Sequence, residues 1–134
     1  MDGEDAWRAA AQALVVASGL WLMGLAAAAV VAPDRTRRFL ERFASTARVH
    51  YTEQTLRVVA GLALVVFAPE MRWSRFFQLF GWTVLVTGAI LMLTPWTRHR
   101  RFAEWAIPMA TRRLRLLALG AFAIGVLILH AAVA

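Results

Sequence analysis

The chain has 134 residues, 60% of them hydrophobic and 17% charged, with fifteen Arg, no Lys, eight acidic residues, a formal charge of +7 and no Cys. This length allows one domain at most. A mean hydropathy of +0.59 excludes both an ordinary soluble domain and a disordered chain. The lack of Cys excludes disulfides, thiolate zinc sites, iron–sulfur clusters and cysteine nucleophiles.

The N-terminal tail carries Asp2, Glu4, Asp5 and Arg8. Residues 9–32 then run apolar, with only Gln12 and Ser18 polar. A helix of that length crosses a hydrocarbon core of about 30 Å with some tilt. A cleaved signal peptide would have a basic leader and a shorter apolar run. The segment therefore reads as a retained span.

Pro33 closes this span, and a basic stretch follows with Arg35, Arg37, Arg38, Arg42 and Arg48. In this stretch Phe39, Leu40, Phe43 and Ala47 share one helical face, with Arg37, Arg38, Glu41, Arg42 and Arg48 on the other. The second apolar segment, Val58 to Ala68, has only 11 residues. Extended back to Thr52 it reaches spanning length, provided Arg57 snorkels to the interface. Pro69 closes it, and Arg72 and Arg75 lie in the short connection that follows. Residues 76–94 form the third span, closed by Pro95.

The second basic stretch holds Arg98, Arg100, Arg101, Arg112, Arg113 and Arg115. Within it Phe102, Trp105, Ala106 and Met109 follow helical spacing, and Pro108 is expected to stop the helix. Residues 116–134 form the fourth span. Trp7, Trp73 and Trp96 lie at span ends as interfacial anchors.

The Arg distribution decides whether the short second segment crosses. With four spans, the first basic stretch together with Arg57 at the helix entry, six Arg, shares one side with the six Arg of the second stretch, and the other side keeps three Arg. With three spans, the two stretches fall on opposite sides. The positive-inside rule therefore predicts four spans at about 9–32, 52–68, 76–94 and 116–134, both termini outside and both basic stretches cytoplasmic. The exclusive use of Arg accords with a GC-rich bacterial coding sequence, hence a bacterial inner membrane.

The two halves resemble each other. Arg37-Arg38-Phe39-Leu40-Glu41 reads against Arg100-Arg101-Phe102-Ala103-Glu104, and Leu56-Arg57 against Leu114-Arg115. Residues 9–69 and 73–134 thus read as tandem hairpin repeats within one membrane domain. The expected fold is all-α: a four-transmembrane-helix bundle with short amphipathic interfacial helices in both cytoplasmic loops. Gly19, Gly24, Gly81, Gly88, Gly120 and Gly125 are expected to pack the bundle internally rather than form a dimer seam. On Pro33, Arg37, Arg38, Phe39, Leu56, Arg57 and Gly61, and on Pro95, Arg100, Arg101, Phe102, Leu114, Arg115 and Gly120, the chain resembles a fused pair of YjeT-like two-helix bacterial inner-membrane proteins. That resemblance implies an architecture and no activity.

Chemistry is sparse. No carboxylate falls in a predicted span core, which argues against proton-driven transport. Haem ligation needs two His at matched depth. His130 lies about a membrane thickness from His50 and His99, and His99 falls in an interfacial stretch, so no cofactor is expected. His50, Tyr51, Glu53, His99 and Glu104 can converge at the cytoplasmic surface as a metal or acid–base site, but no metal-ligand spacing accompanies them. No metal is therefore expected. Glu41 and Glu104 are expected to pair with Arg three or four residues earlier. The basic charge has its origin in membrane orientation, and no nucleic-acid motif accompanies it.

The reading favoured by elimination is a non-enzymatic accessory, assembly or lipid-interacting subunit. Its surface for anionic lipid of the cytoplasmic leaflet, a membrane-protein partner or a second copy would be Arg37, Arg38, Phe39, Glu41 and Arg42 with Arg100, Arg101, Phe102, Glu104 and Trp105. A small oligomeric transporter or channel is the alternative, and an enzyme at the cytoplasmic interface the second.

Overall fold

A computed structural model describes residues 2–42 and 45–133. Phe43 and Ala134 of the sequence reading lie outside the described residues. Among the described residues all regular structure is helical: α1 (Gly3–Val31), α2 (Pro33–Glu41), α3 (Ala47–Phe67), α4 (Ser74–Leu93), α5 (Trp96–Arg112) and α6 (Leu114–Val133), with a 3-10 turn at Ala68–Glu70. Four helices are long and apolar enough to cross a membrane: α1, α3 with its 3-10 extension, α4 and α6.

Capping explains where the helices begin. Asp2 accepts a hydrogen bond from the Asp5 amide, so α1 starts inside the acidic tail rather than at Ala9. Thr46 accepts from the Val49 amide at 3.2 Å and starts α3 at Ala47, five residues before the expected Thr52. At about 1.5 Å per residue, α3 is then about 31 Å long, enough to span. One correction concerns Pro108. It does not stop its helix but sits inside α5, which continues to Arg112. Proline removes one amide donor, and Pro108 lies on an exposed face of α5, where water can satisfy the carbonyl it releases.

The most extensive helix pairs are α3 with α4 and α1 with α6, and α1 against α3 joins the two pairs. Glycines set the spacing. A Cβ on Gly61 would stand 2.6 Å from the Leu85 amide nitrogen, and one on Gly81 2.9 Å from that of Val65. Across the other pair, a Cβ on Gly125 would lie 2.8 Å from the Gly19 carbonyl oxygen. Such contacts let backbones approach until dispersion holds them, the main attraction available among helices in lipid. Gly24 and Gly120 differ: nothing lies within 4 Å of a Cβ at either, so they take no part in these seams.

One end of the bundle is closed by all four long helices. Val15, Leu64, Phe67, Phe77 and Ile128 are buried there together. Gln12 donates to the Ala132 carbonyl at 3.1 Å, and the Arg72 amide donates to that of Ala131 at 3.2 Å. Trp73 turns the chain into α4 with φ 53°, a left-handed conformation that costs a non-glycine residue about 1–3 kcal/mol. Its ring rests on His130, 5.9 Å between centroids, and His130 Nε2 accepts from the Arg72 guanidinium at 3.2 Å. At the other end Ala26, Ala29, Leu114 and Ala118 form a second cluster, with Leu40 of α2 packed on it.

Ser18, Thr83 and Thr87 return their hydroxyls to carbonyls one turn back, at 2.7 to 2.8 Å, as expected of such residues in apolar helices. Gln78 is exposed and makes no such bond. Gly61→Ala is predicted to destabilise the protein by about 1–3 kcal/mol through overpacking against α4. Gly120→Ala should leave it unchanged or slightly more stable. Unfolding in mixed detergent micelles, followed by circular dichroism, measures both.

Candidate functional site

The helices α2 and α5 meet at one end of the molecule. Glu41 and Ser45 face Arg100, Ala103 and Glu104 across a cleft of about 310 Å³. Charge divides the chain accordingly. The end holding α2, α5 and the adjoining turns of α3 and α6 carries twelve Arg and four acidic residues, a net +8. The opposite end carries Arg8, Arg72 and Arg75 against Asp2, Glu4, Asp5 and Glu70, a net −1.

All ten residues of the expected surface are exposed: Arg37, Arg38, Phe39, Glu41 and Arg42, and Arg100, Arg101, Phe102, Glu104 and Trp105. The two helices turn equivalent positions inward. Thr36 and Leu40 of α2 face the bundle, as do His99 and Ala103 of α5, 63 residues later. The aromatic face of α5, with Phe102, Trp105 and Met109 each more than half exposed, points outward. Phe39 meets the edge of Trp21 at 6.0 Å between ring centroids.

The expected ion pairs form in one helix and not the other. Arg100 pairs with Glu104 at 3.0 Å. Arg37 pairs with Asp34 at 3.2 Å instead of Glu41, and Glu41 has no ion pair among the described residues. Asp34 is the closer competitor, on the same turn as Arg37. Both pairs are exposed and contribute little.

A buried polar cluster lies behind this surface. His50, in the first turn of α3, is fully buried, and its Nδ1 stands 2.7 Å from Nδ1 of His99. Such a contact holds one proton, so one ring donates and the other accepts. His50 Nε2 has no hydrogen-bond partner among the described residues. A buried N–H without an acceptor is the costlier orphan, so His50 is assigned as the Nδ1 donor. Gln54, one turn on, is also fully buried, and neither of its amide atoms has a partner. Glu53 pairs with Arg57 through Oε1 at 3.4 Å, while its Oε2 has none. The Arg57 stem packs where a Cβ on Gly88 would lie, at 3.1 Å.

The structure thus brings together His50, Glu53 and His99 of the weighed metal or acid–base group. Tyr51 is exposed beside His50, and Glu104 is turned away to Arg100. Among the described residues no group of three or more His, Cys, Asp or Glu is placed to hold a metal ion. Gln54 was not foreseen. Its spacing of four from His50 and three from Arg57 places all three on one face of α3, the signal by which it could have been added to the group. Glu53 and Arg57 lie in the first three turns of α3, at the end nearest α5.

Burial pushes the His99 imidazole below its ordinary value of 6.5; Glu53 opposes this, and His50 and Arg57 reinforce it. An unfolded chain therefore binds a proton at His99 before the folded one does. This stability is present above pH 6.5 and declines as pH falls from there through the lowered value. Protonating both rings also sets two N–H groups against each other. The melting temperature is predicted to be level above pH 6.5 and to fall below it, and His99→Phe should remove most of that fall.

No family model, curated protein or solved structure matches the chain.

Proposed function

We propose that the protein is a multi-pass component of a bacterial inner membrane whose cytoplasmic end gathers anionic lipid. The observation that carries this is the meeting of α2 and α5 at the end with a net +8. In this reading both helices lie along the headgroup plane. Phe102, Trp105 and Met109 enter the acyl boundary, and Arg37, Arg38, Arg100 and Arg101 engage phosphates. Each Arg near such a surface contributes about 1 kcal/mol. The termini are then periplasmic. The 63-residue register between inward positions supports a tandem repeat, in keeping with the fused YjeT-like resemblance. The protein acts here as a lipid-organising or accessory subunit, with no reaction assigned.

The polar group of buried His50 and Gln54 with part-buried Glu53 and Arg57 supports a second reading, an oligomeric transporter or channel in which these groups line a polar path. Solute flux in proteoliposomes that is lost on Gln54→Leu would favour it.

Spin-labelled lipids test the first reading. The reconstituted protein is expected to hold phosphatidylglycerol several-fold more strongly than phosphatidylcholine at its boundary, with the preference weakening as salt rises. Replacing Arg37, Arg38, Arg100 and Arg101 together by Gln should abolish most of the preference. An unchanged preference in a folded variant would refute the role of these residues.

A further inference from the structure

We infer that the groove between α1 and α2 is a binding site for one anionic phospholipid, its acyl chain lying along α1 and its phosphate on Arg35. The inference rests on the lipid-gathering role proposed above and gives it one defined site.

The groove has a volume of about 410 Å³. Leu20, Trp21, Gly24 and Ala28 form its wall on α1, and Arg35 and Phe39 border it on α2. The α1 wall is wholly apolar. Leu20 and Trp21 are each 56% exposed, and Phe39 38%, so the groove opens on the outer surface of the bundle. Gly24 keeps it open, since no atom lies within 4 Å of where its Cβ would be.

Dimensions choose the occupant. From Leu20 to Ala32, the last α1-side lining residue, the chain rises about 18 Å at 1.5 Å per residue. One leaflet is about 15 Å deep, half of a hydrocarbon core of about 30 Å. The groove is therefore as long as a single acyl chain is deep.

Charge chooses the headgroup. Arg35 stands at the end of the groove nearest the Arg-rich surface and is exposed. It has no ion pair or hydrogen bond among the described residues. The neighbouring carboxylate, Asp34, is taken by Arg37. An unpaired guanidinium above an apolar slot suits a lipid phosphate, which it can hold bidentately.

Glycine geometry supplies a clean test. Gly24→Leu adds a branched side chain on the groove wall at a position where a Cβ meets no atom within 4 Å, and Gly120→Leu adds the same side chain at an equally open position on α6, outside the groove. The full-length protein would be released from nanodiscs of equal phosphatidylglycerol and phosphatidylcholine and weighed by native mass spectrometry. The wild type and Gly120→Leu should retain one phosphatidylglycerol. Gly24→Leu should lose it by about fivefold or more, and Arg35→Gln should cut the preference for phosphatidylglycerol by about fivefold. Equal retention by Gly24→Leu, or no retained lipid in the wild type, overturns the site. An unchanged lipid preference in Arg35→Gln overturns the role of Arg35. The variant with Arg37, Arg38, Arg100 and Arg101 replaced separates the two proposals. If it keeps the single lipid while the wild type shows no boundary preference, the groove stands and the wider surface reading fails.

Discussion

Helix α3 is the least apolar of the four long helices, and the layout of the whole molecule depends on its crossing. It carries His50, Glu53, Gln54 and Arg57 in its first three turns. A segment with this content does not cross lipid on its own account. What suits α3 to a span is that its polar face is turned inward. His50 and Gln54 are fully buried, and the Arg57 stem lies against Gly88 of α4. Glu53 and Arg57 also neutralise each other at 3.4 Å. The pair is part-buried, and the Arg57 side chain, 37% exposed, carries its guanidinium out from the helix seam.

Close packing makes this possible. Gly61, Gly81 and Gly88 bring the α3 and α4 backbones together, and Gly19 and Gly125 do the same for α1 and α6. Each close pair joins helices from opposite halves of the chain. The halves are therefore interlocked rather than laid side by side. The end with Phe77 and Ile128 is tied by backbone hydrogen bonds and a shared apolar core. The Arg-rich end is held by a lighter set of contacts: Leu40 on the α1–α6 cluster, and the imidazole pair that docks α5 onto α3. The firmer end thus fixes the bundle, and the looser end presents charge.

Much of this was legible in the sequence, for physical reasons that differ by residue. The apolar runs of α1, α4 and α6 are long enough to announce themselves. That α3 is long and apolar enough to span was anticipated from the Arg count on either side of it, a constraint on topology rather than on local composition. The exposed Arg-aromatic helices followed from their spacing. The length of α3 did not, because it depends on the Thr46 cap ahead of a polar first turn. The continuation of α5 through Pro108 did not either, since proline's cost depends on whether its face meets water. Neither the His50–His99 contact nor the buried Gln54 is a local feature. The sequence let His50 and His99 be weighed as converging, but their direct contact joins helices 49 residues apart, and the burial of Gln54 is set by packing, neither of which single-sequence periodicity reveals. The groove at Gly24 was equally hidden: in sequence Gly24 looks like Gly19, and only packing separates a seam from an opening.

In the proposed topology α3 and α4 both cross, and α2 and α5 share one side of the membrane. The native chain has no Cys, so single substitutions at Glu4, Ser45, Glu70 and Thr97 each give one thiol. Labelling with an impermeant maleimide before and after permeabilisation reports the side of each. Ser45→Cys and Thr97→Cys should react together, only after permeabilisation, while Glu4→Cys and Glu70→Cys react in intact spheroplasts. Reaction of positions 45 and 97 from opposite sides would contradict the account.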